Sequence, residues 1–152
     1  MRFLGTIVIV LAVVFLGALG FYYLRDGSLQ SAGREMDKDL AGIDSDPEGP
    51  GFKKIIVRPQ PVAGLDWVDA SYASIHGRIA VRWEHVSGRF VLKASLPANT
   101  TATVFVPTRA SGAVRESGAP AAQSAGVKFL RNEAGRDVFA VDSGVYSFEA
   151  NW

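Results

Sequence analysis

The sequence predicts an all-β fold, an antiparallel β-sandwich, preceded by a single N-terminal hydrophobic helix of transmembrane or signal type. Three observations carry this. Beyond Gly51 the apolar residues recur at a period of two rather than 3.6, which is the mark of half-buried strands. The runs are short and are separated by Gly, Pro, Asn, Asp and Ser, and several such runs at near-regular spacing point to a sandwich or barrel. Ahead of them, Phe3 to Leu24 is 22 residues long without a charge.

Composition narrows the function classes. A chain of 152 residues has room for one ordinary domain and an appendage. Its net charge is +1 and its Lys, Arg, Asp and Glu are scattered, so it offers no basic stripe and nucleic acid is excluded as a partner. The absence of cysteine excludes disulfides, thiolate catalysis and cysteine-ligated zinc.

Residues 1–25 read as a hydrophobic anchor or signal segment. At ~1.5 Å per residue, Phe3 to Leu24 covers roughly 30 Å, the thickness of a bilayer's hydrocarbon core. Phe21, Tyr22 and Tyr23 fall where an interfacial aromatic belt would sit, and Arg2 and Arg25 flank the run. A cleaved signal with Ala18-Leu19-Gly20 as its processing site is the alternative, although such apolar regions are usually ~7–15 residues long. The preferred reading is a membrane-anchored protein whose sandwich is exported, periplasmic or extracellular; the other is secretion after cleavage. Residues 26–50 read as a polar linker, with a helical turn near Arg34 to Leu40 and a Pro/Gly-rich end from Asp44 to Gly51.

The sandwich is expected over residues 51–152. Phe52 to Arg58 is a β-branched run that Pro59 and Pro61 stop, because proline cannot donate to a ladder. Alternation then continues through Leu65 to Ala70, Arg78 to Glu84 and Phe90 to Leu96, with His76-Gly77 and Ser87-Gly88 as hairpin signals. Thr100 to Val106, Gly126 to Leu130, Arg136 to Val141 and Gly144 to Glu149 complete the series. Asn132 to Gly135 and Asp142-Ser143-Gly144 read as turns, and Ser117 to Gly126 as an exposed small-residue loop. The phase of the alternation places Trp67, Ile79, Val81, Trp83, Phe90 and Leu92 inside, with Tyr72 on the opposite phase from Trp67.

Chemistry-bearing constellations are sparse, and the expectation is no catalytic residue, no metal ligand, no cofactor and no identifiable carbohydrate-binding residue. Asp44 and Asp46 have the start of a calcium loop, but its twelfth position is Ile55 instead of Glu. His76 and His85 are the only histidines and cannot build the common zinc sets without cysteine. Ser71, Ser74, Ser117 and Ser143 lack a nucleophile-elbow context. The acids Asp66, Asp69, Glu84, Glu116, Glu133, Asp137, Asp142 and Glu149 fall beside turns or on polar strand phases, where solvated charge is the default. Asn99-Thr100-Thr101 is formally a glycosylation sequon, but turn and strand chemistry explains it.

Ala41 to Pro61, Ala-Gly-Ile-Asp-Ser-Asp-Pro-Glu-Gly-Pro-Gly-Phe-Lys-Lys-Ile-Ile-Val-Arg-Pro-Gln-Pro, resembles the junction in bacterial α-L-rhamnosidases where the catalytic barrel passes into the C-terminal β-sandwich. The resemblance continues through Ala70-Ser71-Tyr72, Ser74 to Ile79, Leu96 to Val104, Glu116-Ser117-Gly118, Gly126-Val127 and Gly144 to Phe148, covering about residues 41–152. It implies a sandwich that follows a helical α/α barrel, with the carboxylates of an inverting hydrolysis in the barrel. Residues 1–40 stand where that family has hundreds of residues, so no catalytic position carries over. Inverting hydrolysis also needs two carboxyl groups ~6.5–9.5 Å apart across a cleft, which a small sandwich hardly offers.

Three functions compete. The first is a non-catalytic, membrane-tethered accessory sandwich, a truncated or split part of a rhamnoside-degrading glycoside hydrolase. The second is a surface module that binds a rhamnose-containing glycan, which needs an exposed aromatic face. The third is a sandwich subunit that completes a separately encoded catalytic α/α barrel. The partners implied are that barrel, the glycan, and the membrane through Phe3 to Leu24.

Overall fold

The computed structural model describes residues 39–152. The expected helix over Phe3 to Leu24, and the linker as far as residue 38, lie outside the described residues. Among the described residues no helix is long and apolar enough to cross a membrane.

Among the described residues nine strands follow one another: β1 (Ile43–Ser45), β2 (Lys54–Val57), β3 (Trp67–Ser74), β4 (Gly77–Val86), β5 (Arg89–Pro107), β6 (Arg115–Glu116), β7 (Ala119–Pro120), β8 (Val127–Glu133) and β9 (Arg136–Asn151), with 3-10 turns at Pro50–Phe52 and Ala121–Gln123. They form one hydrogen-bonded network that folds into two layers, because β5 and β9 each serve both. The first layer runs β3–β4–β5–β9–β6–β7 and uses Arg89 to Leu96 of β5 with Gly144 to Asn151 of β9. The second runs β1–β2–β5–β9–β8 and uses Thr101 to Pro107 with Arg136 to Asp142. Long strands that change sheets at a bend are the usual way to make a corner in such sandwiches.

Local sequence explains the hairpins. In Ser87-Gly88 both central residues have positive φ, 53° and 75°, as the type I′ turn requires to match the twist of its strands. Ala134-Gly135 does the same between β8 and β9, and Ser117-Gly118 between β6 and β7. The core lies between the layers. Trp83, Phe90, Leu92 and Phe148 enter from one side and Ile55, Val57, Val104, Val106 and Phe139 from the other, all essentially without exposure. Phe139 stacks on Phe148 at 5.5 Å and Phe52 meets Tyr72 at 4.4 Å, so aromatic pairs bridge the layers.

Several expectations are corrected. Trp67 is not in the core: it is 56% exposed, and Val68 and Ala70 point inward instead. The expected inward set otherwise holds, with Ile79, Val81, Trp83, Phe90 and Leu92 all buried. The reason is register. The short Ile75-His76 turn pairs Val68 with Trp83, Ala70 with Val81 and Tyr72 with Ile79. Directly opposed residues share a face, so a buried Trp83 sends Val68 inward and Trp67 outward.

The linker does not persist to residue 50. Ala41 and Ile43 are fully buried, β1 pairs with β2, and the indole Nε1 of Trp83 donates to the carbonyl of Leu40 at 3.0 Å. Gly42 is required there: its φ is 73°, and a Cβ would collide with the carbonyl of Arg58. The sheet is not purely antiparallel either, since β2 runs parallel to β5 with Ile55 opposite Ala102. Chain between them crosses to the first layer and back, which supplies the long connection parallel pairing needs.

Two expected interruptions are bends within continuous strands. Between Leu96 and Thr101 the partner strand advances only from Gly144 to Asp142, so Pro97 to Thr100 bulges while the ladder resumes beyond it. Thr100, buried in this bulge, donates its hydroxyl to the carbonyl of Pro97 at 2.6 Å. The Ser117 to Gly126 stretch is mostly exposed as expected, yet Ala121 is buried and Ala119–Pro120 forms β7.

Candidate functional site

The outer face of the first layer carries the one exposed tryptophan among the described residues. The β3–β4 register sets Trp67 opposite Glu84 and Asp69 opposite Arg82, and the β4–β5 register continues the row from Arg82 to Lys93. Arg82 ties these side chains together. Its Nη1 donates to Asp69 Oδ2 at 3.2 Å, its Nη2 lies 3.7 Å from Glu84 Oε2, and its guanidinium carbon sits 5.2 Å from the centre of the Trp67 ring. That distance is within the reach of a cation–π contact. All of these groups are at least a third exposed, so their value lies in orienting one another more than in stability.

A surface groove of about 470 Å³ adjoins Trp67 and is lined by Leu40, Gly64, Leu65, Asp66, Val68 and Asp69. Its wall is anchored by backbone bonds, Leu65 N–H to the carbonyl of Val62 at 3.2 Å and His85 N–H to the carbonyl of Asp66 at 2.7 Å. A second groove, about 450 Å³, lies on the other layer beside Asp39, Asp44, Arg58 and Gln60. There the Arg58 guanidinium covers the Phe105 ring at 3.9 Å and closes an apolar spot on the outer side of β5.

The acids considered from the sequence are not gathered into a catalytic arrangement. Asp69 and Glu84 share Arg82, Glu149 approaches Arg89 at 4.0 Å, and Glu133 pairs with Arg131 at 2.7 Å. Glu116 accepts from the Ser117 hydroxyl at 2.6 Å and from the Ser147 N–H at 3.4 Å. Asp66 and Asp142 are exposed. Asp137 departs from the surface expectation: it is fully buried, with Oδ2 accepting from Gly112 N–H at 2.7 Å and Oδ1 from Asn132 Nδ2 at 2.9 Å. It holds a loop and a hairpin together and faces no second acid.

Asp44 and Asp46 bond to the nearby N–H groups of Ser45 and Glu48 at 2.7 and 2.8 Å, as turn-forming aspartates do. No group of three His, Cys, Asp or Glu able to hold a metal occurs among the described residues. His76 sits at the β3–β4 turn, while His85, near the far end of β4, meets the edge of Trp152 at 4.8 Å. Nine residues of strand separate the two histidines by roughly 30 Å at ~3.3 Å per residue. The Ser74 hydroxyl donates to the carbonyl of Gly77 at 2.8 Å. Near the β9 bend, Tyr146 is held above the usual phenol range, first by burial and then by the charges of Asp142 and Glu116.

The family model described as bacterial alpha-L-rhamnosidase C-terminal domain matches residues 42–119. An alpha-L-rhamnosidase from Streptomyces avermitilis is 36% identical over 118 residues, which is 78% of this chain and 10% of that protein. The crystal structure of a Streptomyces avermitilis alpha-L-rhamnosidase complexed with L-rhamnose superposes with a TM-score of 0.67 at 34% identity, covering 78% of this chain and 11% of that one. The alpha-L-rhamnosidase from Dictyoglumus thermophilum gives a TM-score of 0.62 at 30% identity, over 72% of this chain and 12% of that one. The chain thus spans about a tenth of the length of the relatives it matches.

Proposed function

Because the chain belongs to the bacterial α-L-rhamnosidase C-terminal domain family, we propose that it serves as the accessory β-sandwich of a rhamnoside-degrading glycoside hydrolase and performs no hydrolysis itself. In this reading it works beside a catalytic α/α barrel, which lies on another chain or another part of a longer one. The sandwich is exported and tethered to the membrane through Phe3 to Leu24. The observation that carries the reading is where the likeness falls. It spans about a tenth of each relative, and on this chain it covers the sandwich, whose acids are paired with bases, buried in a structural knot or open to solvent. No two of them face one another across an enclosed cleft of the kind that glycoside hydrolysis needs.

The test is association with a barrel. The full chain, solubilised in detergent, is mixed with a rhamnosidase barrel truncated before its own C-terminal sandwich. The mixture is followed by sedimentation and by the barrel's thermal midpoint. A ligand that binds only the folded state at ~100 times its Kd stabilises by about 2.7 kcal/mol, so a rise of several degrees is expected. Separate sedimentation with an unchanged midpoint at tens of micromolar would remove the accessory role.

A further inference from the structure

We infer that Trp67, Asp69, Arg82 and Glu84, together with the groove bounded by Leu65 and Asp66, form a binding site for a neutral pyranose unit. This goes beyond the accessory role and does not depend on a barrel partner. The first support is the ring itself. A tryptophan that is 56% exposed on the face of a sheet leaves most of a large apolar surface in water, while the other tryptophan of the same hairpin is fully buried. The second is its surroundings. A protein-docking patch would continue as apolar surface, but the residues directly opposite and next to Trp67 on this face are Glu84, Asp69 and Arg82, and they separate it from Val86 and Val91.

One flat aromatic ring ringed by planar carboxylates and a guanidinium suits a sugar. The C–H face of a pyranose covers the ring face turned away from Arg82, and its hydroxyls both donate to carboxylates and accept from the guanidinium. The third support is that the platform is built in advance. Arg82 is held by Asp69 at 3.2 Å and Glu84 at 3.7 Å while reaching over the Trp67 ring, and the groove wall is pinned by backbone bonds from Leu65 and His85. The groove, about 470 Å³, falls among the ~300–1,000 Å³ of small-molecule sites. Charge gives the specificity. Asp66, Asp69 and Glu84 outnumber Arg82 and, one strand further along the row, Lys93, so an anionic uronic acid is disfavoured relative to an uncharged sugar.

The experiment follows the indole N–H signals of Trp67, Trp83 and Trp152 in the ¹⁵N-labelled full chain, kept in a detergent without a sugar headgroup. Methyl α-L-rhamnopyranoside and, separately, glucuronate are titrated in. The neutral glycoside is expected to shift the Trp67 signal saturably, with a Kd in the ~mM range, and to leave Trp83 in place; glucuronate should bind more weakly. Trp67→Ala should weaken binding at least ~10-fold, and Asp69→Asn should weaken it while keeping the ring, both with an unchanged thermal midpoint. Sedimentation of Trp67→Ala with the barrel separates the two proposals, since the sugar site predicts unchanged association. A Trp67 signal that does not move at ~100 mM glycoside, or binding that survives Trp67→Ala, would overturn the site. So would loss of barrel association in Trp67→Ala, which would make the ring part of a protein interface.

Discussion

Asp137 is a buried carboxylate whose two oxygens each accept a hydrogen bond from a different element, Gly112 N–H and Asn132 Nδ2. Gly112 and Asn132 are exposed and can turn to water, so replacing Asp137 with alanine loses the net worth of hydrogen bonds to a charged group, about 1.5–3 kcal/mol. We therefore expect Asp137→Ala to lower the unfolding free energy from urea melts by that amount, and the midpoint with it, with no change at Trp67, which lies on the other layer. A midpoint within error of the parent would mean that the loop from Thr108 to Val114 is held by something else. Trp67 departs from the expected phase for an equally local reason. Extending the apolar phase from Leu65 puts Trp67 inward, but β3 begins only at Trp67 and Leu65 precedes it. The register set by the turn after Ser74 places Glu84 opposite Trp67, and that pairing was readable from the hairpin signal. Asp137 was not readable, because its partners lie on a loop 25 residues earlier and across a hairpin.

At the scale of elements, β5 and β9 determine the architecture because each bends from one layer into the other. Pro97 to Asn99 and Asp142 to Gly144 carry turn residues, and a sequence cannot say whether such residues end a strand or bend it. The ladder beyond the bend decides, and that pairing is long-range. Tyr146 reports on the β9 bend. Burial, and then the charges of Asp142 and Glu116, disfavour its phenolate, with a backbone hydrogen bond from Asp142 as a partial offset. The folded state therefore holds that proton more tightly than the unfolded chain. This contribution is fully present below the unfolded value near ~10 and is lost as pH rises through the higher folded value. Between about pH 9 and 12 the thermal midpoint of the parent should fall more steeply than that of Tyr146→Phe. At neutral pH the variant should differ little, since the hydroxyl's bond to the carbonyl of Gly126 is long, 3.4 Å. Parallel pH profiles would show that Tyr146 is not coupled to the bend.

At the scale of the described domain, one core lies between two layers. The interior is filled by Trp83, Phe90, Phe139 and Phe148, and the groove beside Trp67 runs along β3, where Leu40, Leu65 and Val68 meet the surface. The all-β class and most hairpins were legible in the period-two runs, since those depend on neighbours in sequence. The parallel β2–β5 pair and the packing of Ala41 and Ile43 were not, since they join segments more than ten residues apart through the core. The proposed role is that of an accessory sandwich that performs no hydrolysis itself. The direct measurement is hydrolysis of an aryl α-L-rhamnoside by the purified full chain alone. We expect release of the aryl alcohol at the rate of the buffer blank. Turnover by the chain alone, abolished when a single Asp or Glu is changed to alanine, would contradict it.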